Sequence, residues 1–159
     1  LRETLFNVLA GGKPAVLEGT LWLDLYAGTG AVGIEALSRG ARLVCFVESS
    51  ARAANLIRRN LQSLELEGSA FRVMQEDAVR ALRKYSDAPD FIFLDPPYRM
   101  EAAYERTLKT LAECKSLKPT TTVIVEHEKK FDPGEKFGML TRYRKLVQGD
   151  ASLSFYRIV

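Results

Sequence analysis

Long hydrophobic runs are missing from this sequence: the longest unbroken apolar stretch is Leu43 to Val47, far short of the roughly 20 residues that cross a bilayer as a helix. No charged segment feeding an apolar stretch opens the chain, so no secretory signal is legible. Cysteine is scarce. Cys45 and Cys114 stand far apart, in neither a metal-ligand spacing nor a C-x-x-C pair, which excludes a cysteine-rich zinc module and favours a reducing, cytoplasmic compartment. The single histidine, His127, sits in Glu126-His127-Glu128 and reads as a solvated loop residue rather than a catalyst. Repeats, low-complexity tracts and Ser/Pro linkers are absent as well, and 159 residues suit one domain spanning positions 1 to 159. The chain opens on Leu1 in mid-pattern, so an N-terminal segment is expected to precede it. A net charge of +3 is too mild to announce nucleic-acid binding by itself. From Lys129 to Lys145, however, six basic residues face Asp132 and Glu135, a run that suits a solvated face as readily as a partner surface.

What is present is an alternation of short apolar runs with helical patterns, which predicts an α/β domain with a mostly parallel sheet. A first helix over Leu1 to Ala10 stops at Gly11-Gly12. Strands are expected at Leu21 to Tyr26, Leu43 to Val47, Phe71 to Met74, Phe91 to Leu94 and Thr121 to Glu126. Helices are expected near Val32 to Ser38, Ser50 to Leu64, Val79 to Tyr85 and Ala102 to Cys114. The end differs, because Met139 to Val147 and Ser152 to Ile158 alternate around Gly149-Asp150, an antiparallel hairpin.

The first strand runs into Asp24-Leu25-Tyr26-Ala27-Gly28-Thr29-Gly30-Ala31-Val32-Gly33, a G-x-G-x-x-G string between strand and helix. Glycines there allow a tight turn and let a ligand approach bare backbone. Alone the string is weak, since such turns also serve packing. Glu48 strengthens it: it ends the second strand 20 residues after Gly28, where a carboxylate can accept from both ribose hydroxyls of a nucleoside. Asp77 ends the third strand, where it can receive the exocyclic amino group of an adenine. Acids that end strands often only cap the next helix, but Asp24, Glu48 and Asp77 in step with the glycines point to a ligand site. Both a dinucleotide and S-adenosylmethionine carry a ribose that needs such an acid. A pyrophosphate wants a helix N-terminus free of negative charge, whereas Asp24 suits the cationic amino end of a methionine moiety, so the balance leans to S-adenosylmethionine.

The strongest signal is Phe91-Ile92-Phe93-Leu94-Asp95-Pro96-Pro97-Tyr98, a buried-looking strand that delivers a carboxylate, two prolines and an aromatic to the same sheet edge. The amino group of a nucleobase is a poor nucleophile because its lone pair is delocalised into the ring. Asp95 and the Pro96 carbonyl can each accept one N–H, localising that pair and stabilising the positive charge that builds on nitrogen. Pro96 and Pro97 fix the backbone, and Tyr98 offers a stacking face worth about 1 to 3 kcal/mol.

These residues resemble the S-adenosylmethionine-dependent amino-methyltransferases that carry a D-P-P-Y motif. More narrowly, the sequence is similar to the bacterial family that methylates the N2 amino group of a guanine in 16S ribosomal RNA. The likeness runs through Arg2 to Asn7, Asp24 to Gly33 with Ile34 to Gly40, Phe46 to Glu48, Phe93 to Tyr98, and Gly149-Asp150 with Ser154 to Tyr156. It implies a Rossmann-like class I methyltransferase fold: a mostly parallel seven-stranded sheet with a C-terminal antiparallel hairpin and helices on both faces. It also implies a cofactor site of Asp24, Tyr26, Ala27, Gly28, Thr29, Gly30, Glu48, Ser49, Asp77 and Ala78, and a target-base site of Asp95, Pro96, Pro97 and Tyr98. Members of that family begin with a further basic segment.

Size speaks to the substrate independently. Sequence-specific DNA amino-methyltransferases need an added recognition region, and no stretch here is long enough to be one, so specificity is expected from the shape of a folded RNA or an assembled small ribosomal subunit. Arg99, Lys129, Lys130, Arg142 and Arg144 then become candidate phosphate contacts. A monomer without metal or membrane partner is expected. Amino methylation of adenine N6 or of another substrate remains the alternative within the class, and a nicotinamide-dependent oxidoreductase or a silent RNA-binding module the alternatives outside it.

Overall fold

The computed structural model describes residues 1–97 and 99–159. Helix α1 (Arg2–Ala10) stops where Gly11 adopts a left-handed conformation and donates its N–H to the Asn7 carbonyl. It lays Leu5 and Phe6 into the core, with the Phe6 ring stacked 5.4 Å from Trp22 on β1 (Leu21–Leu25). Every residue of β1 is buried, as a strand covered on both faces must be. The order then runs α2 (Ala31–Ser38), β2 (Leu43–Val47), α3 (Ala51–Gln62), β3 (Phe71–Met74), α4 (Ala78–Lys84), β4 (Phe91–Leu94), α5 (Glu101–Ala112) and β5 (Thr122–Glu128). Three antiparallel strands close the chain: β6 (Lys136–Phe137), β7 (Leu140–Gln148) and β8 (Ala151–Ile158).

All eight strands form one sheet in the order β3-β2-β1-β4-β5-β8-β7-β6, the first five of them parallel. Alternation along the strands sends side chains to two cores. Trp22, Phe46, Phe93 and Ile124 meet Phe6, Ala36 and Ile57 of α1, α2 and α3 on one face. Leu25, Val47, Leu94 and Val125 meet Leu82, Tyr104 and Leu108 of α4 and α5 on the other. This is the class I methyltransferase architecture, and the strand order reverses between β1 and β4, the place where ligands of open α/β sheets bind.

The expected elements appear within about two residues, with some differences. Two single-turn 3-10 segments, Pro14–Leu17 and Gly68–Ala70, are additions. The sheet has eight strands where seven are expected, because Lys136 and Phe137 fold back on Thr141 and Leu140 through a turn at Gly138. Strand β5 continues past Glu126 to Glu128, since the antiparallel ladder to β8 gives the polar end of β5 a partner as far as Glu128 against Ala151. His127 therefore lies within a strand and is only 3% exposed, correcting its reading as a solvated loop residue.

The third glycine of the loop is a packing residue. A Cβ on Gly33 would stand 2.3 Å from Cε1 of Phe46 and 2.8 Å from Cγ1 of Val44, so helix α2 can lie this close to β2 only without one. Gly33→Ala is expected to lower stability by about 1 to 3 kcal/mol in urea denaturation, because the overpacking outweighs the gain in helix propensity.

Candidate active site

At the carboxyl ends of β1, β4 and β5 the sheet opens into a cleft of about 810 Å³, within the range of small-molecule sites. Its floor and walls include Asp24, Glu48, Asp77, Asp95 and Glu126, so the acids that end five successive strands of the sheet converge on one space. The parallel register is the cause. Asp24 pairs with Phe46 on one side and Phe93 on the other, and all three side chains emerge on the same face. Asp95 and Glu126 lie two residues beyond Phe93 and Ile124 on that face.

The glycine loop begins with strain. Tyr26 adopts a left-handed backbone (φ 56) that bulky residues seldom take, held by its hydroxyl 2.8 Å from Oγ1 of Thr107. Gly28 and Gly30 follow with φ 58 and 81. The Gly28 N–H donates to Oε1 of Glu48 at 2.9 Å, and the Ser50 N–H donates to Oε2 at 2.8 Å. Glu48 is thereby fixed at both oxygens while it still borders the cleft. Nothing stands within 4 Å of where a Gly28 side chain would begin, which leaves a bare backbone cradle. Asp24 is 1% exposed and accepts the Gly33 N–H at 3.1 Å. Burial pushes its carboxyl up to about 8, against that hydrogen bond and with help from the Asp95 and Glu48 charges, so at neutral pH it ionises fully only beside a cation or further donors.

Asp95 opens to the cleft, yet the walls around it strip enough water to push its carboxyl up to about 7, with the Glu126 charge adding to the rise. The turn behind it is tied down. Tyr104 of α5, only 2% exposed, directs its hydroxyl at the Glu126 carbonyl (3.1 Å) and more distantly at the Pro96 carbonyl (3.5 Å), joining the ends of β4 and β5. Pro96 is buried and Pro97 exposed, and both line the cleft. Tyr98 lies outside the described residues.

Of the other expected cofactor residues, Ala27, Thr29 and Ser49 line the cleft with Tyr26 and Gly28. Gly30 and Ala78 are buried behind it and shape the turn and the start of α4 instead. Asp77 does two jobs at once: it caps α4 by accepting the Arg80 N–H at 3.2 Å and keeps its side chain 46% exposed at the cleft. Among the basic candidates, Arg99, Lys129, Lys130 and Arg144 are exposed. Arg142 is not available in the same way, because Asp132 holds its guanidinium with two contacts at 2.8 and 3.1 Å and its side chain is only 11% exposed. Its Nη1 also reaches Oγ of Ser154, which lies 2.8 Å from Nε2 of His127. Nδ1 of His127 faces the Glu128 carbonyl, which only accepts, so Nδ1 carries the proton and Nε2 accepts from Ser154; burial lowers the imidazole pKa in agreement.

Cleft residues outside the motifs include Met100, Tyr104, Arg106, Glu126 and Gln148. Gln148 is reached by Thr4 of α1, whose hydroxyl donates to Oε1 at 2.6 Å across the chain. Only Glu126 had a usable signal, an acid at the end of a strand; the rest depend on tertiary contacts. Among the described residues no group of three or more His, Cys, Asp or Glu side chains is arranged to hold a metal ion, and no helix is long and apolar enough to cross a membrane.

The profile of the family described as "Conserved hypothetical protein 95" matches residues 1–157. The chain belongs to that family. It is 34% identical over 160 aligned positions to the Bacillus subtilis (strain 168) protein named "Putative rRNA methyltransferase YlbH", with 99% of this chain and 84% of that one covered. It is 37% identical to "Ribosomal RNA small subunit methyltransferase D" of Haemophilus influenzae, covering 81% of this chain and 65% of the relative, slightly less than two thirds of its length. A solved "conserved hypothetical protein" of Streptococcus pyogenes superposes with a TM-score of 0.86 at 28% identity, covering 100% of this chain and 96% of that one. At 17% identity, magnesium protoporphyrin IX methyltransferase of Synechocystis, solved with bound SAM, shares the fold with a TM-score of 0.74, covering 99% of this chain and 79% of its own.

The crowding of carboxyls is measurable. Carbon-detected NMR is expected to show Asp95 titrating near pH 7 and Asp24 near pH 8. Glu126→Gln is expected to lower the Asp95 value only part of the way, because burial is the larger cause of its rise, and to leave Asp24 nearly unmoved, because the Glu126 charge acts on Asp95.

Proposed function

We propose that this chain transfers a methyl group from S-adenosylmethionine to the exocyclic N2 amino group of a guanine in small-subunit ribosomal RNA. The observation that carries the reading is the meeting, in one cleft, of a bare glycine cradle backed by Glu48 and Asp24 with the rigid Asp95-Pro96 acceptor pair. Membership in a family with ribosomal RNA methyltransferases among its relatives supports it.

The residues present fit the cofactor. Glu48 is held at both oxygens by backbone N–H groups and has its remaining lone pairs for ribose hydroxyls. Asp24, buried and reluctant to ionise, suits an ammonium group that compensates its charge. Asp77 suits an exocyclic amine, and Gly28 lets the ligand lie against the backbone. When bound, S-adenosylmethionine supplies an electrophilic methyl carbon on a sulfonium centre.

Asp95 and the Pro96 carbonyl accept the two N–H bonds of the target amine, which turns the nitrogen lone pair away from its ring and toward the cofactor half of the cleft. As positive charge gathers on nitrogen, the Asp95 carboxylate stabilises it. The proton the nitrogen sheds passes to Asp95, whose pKa near 7 suits a base at neutral pH, or to water in the open cleft. Tyr98, next in the chain, supplies the stacking face for the base, and Tyr104 keeps the Pro96 carbonyl in place. Arg99, Lys129, Lys130 and Arg144 meet phosphates of the substrate. The same reading takes positions 1 to 159 as one methyltransferase domain. It works as a monomer in the cytoplasm on ribosomal RNA or the assembled small subunit, without metal or membrane.

The test is transfer of tritium from labelled S-adenosylmethionine into small ribosomal subunits from cells lacking the modification, followed by nucleoside analysis. N2-methylguanosine is expected, and methyladenosine as the labelled product would overturn the guanine assignment. Asp95→Ala is expected to lower the rate roughly 100- to 1,000-fold, the scale of losing one preorganised electrostatic stabiliser, while calorimetry finds cofactor affinity little changed.

A further inference from the structure

The register that delivers Asp95 delivers a second acid beside it. Leu94 pairs with Val125 in the parallel ladder, so Asp95 and Glu126 leave neighbouring strands side by side, about 4.8 Å apart in backbone and on the same face. The Tyr104 hydroxyl, directed at the Pro96 and Glu126 carbonyls together, keeps these two strand ends from splaying. Glu126 lines the cleft, half-buried, and among the described residues its carboxylate has no hydrogen-bond or ion-pair partner. Two adjacent acceptors with lone pairs directed into a cleft match a ligand edge that presents two adjacent donors. The Watson–Crick edge of guanine does so, with N1–H next to the N2 amino group, whereas adenine places an acceptor, N1, next to its amino group. A carboxylate facing that acceptor would set lone pair against lone pair, a mismatch of the kind that rejects a wrong partner strongly.

We propose that Glu126 is a specificity-determining residue that accepts the N1–H of the target guanine while Asp95 accepts from its N2 amino group, so that the pair of acids selects guanine over adenine. This rests on the guanine reading given above and deepens it. Glu126 does no proton transfer; it fixes the base in the plane that brings N2 to Asp95.

The experiment uses small subunits reconstituted on RNA with either guanine or 2-aminopurine at the methylated position, the latter keeping the N2 amino group but presenting an acceptor at N1. Rates are measured at pH 8.5, where Asp95 is ionised with or without its acidic neighbour. The wild-type chain is expected to prefer guanine by roughly 10- to 100-fold, the scale of one charge-assisted hydrogen bond. In Glu126→Gln, kcat/KM on guanine falls by a similar factor. The amide can donate to N1 of 2-aminopurine, so the preference narrows at least about tenfold, with sinefungin affinity unchanged within about twofold. A merely structural role would depress both substrates alike and leave the ratio intact; that result, or an unchanged rate on guanine, would overturn the proposal. If the wild-type chain itself labels adenine, the guanine reading fails first and this inference falls with it, an outcome that needs no variant to recognise.

Discussion

Everything at the active edge depends on the registration of parallel strands. Because β1, β4 and β5 run side by side without slippage, an acid at a fixed distance past each apolar run lands on the same face of the sheet. A shift of one residue in any strand would turn its acid to the opposite side. The apolar side chains that precede them, Phe93 and Ile124, are fully packed between sheet and helices, so the core sets the address of the chemistry. The consequence is electrostatic: acids drawn together out of water oppose one another's ionisation, and the cleft gains by admitting donors and positive charge.

The surrounding chain keeps this arrangement from relaxing. Glu48 is pinned by two backbone N–H groups, and Gly33 lets α2 press against β2. Tyr26 is held in a costly conformation by a hydroxyl contact to α5. Helix α5 contributes twice, since Tyr104 from its first turn fastens the far wall. A helix on one face of the sheet thus positions groups at its edge that it never contacts through its apolar surface.

Much of this was legible in the sequence. The strand ends followed from apolar runs broken by Gly, Pro or acid, and the motif acids Asp24, Glu48, Asp77 and Asp95 could be placed at one edge because a parallel sheet leaves no other place for them. What could not be read depended on partners distant in the chain. His127 looked solvated between two glutamates, yet the β8 ladder buries it and Ser154 satisfies its ring. Arg142 looked like any other cation of a basic run until Asp132, ten residues earlier, proved to hold it. Tyr104 carries no motif at all; its value lies in where α5 happens to aim its hydroxyl. Strand β6 is illegible for another reason: two residues are too few to show a period.

The closing strands have an effect beyond the cleft. With β8 and β7 added antiparallel to β5, the long and strongly apolar middle of the sheet has neighbours on both sides, and its borders are the four residues of β3 on one side and, on the other, β7, which β6 covers only at Leu140 and Thr141. The first border is short and carries Arg72, and the second is broken by the bulge between Arg142 and Arg144 and charged at Arg144 and Lys145, so each offers another polypeptide little regular ladder to extend. The sheet is thereby guarded against templated aggregation by the form of its own edges.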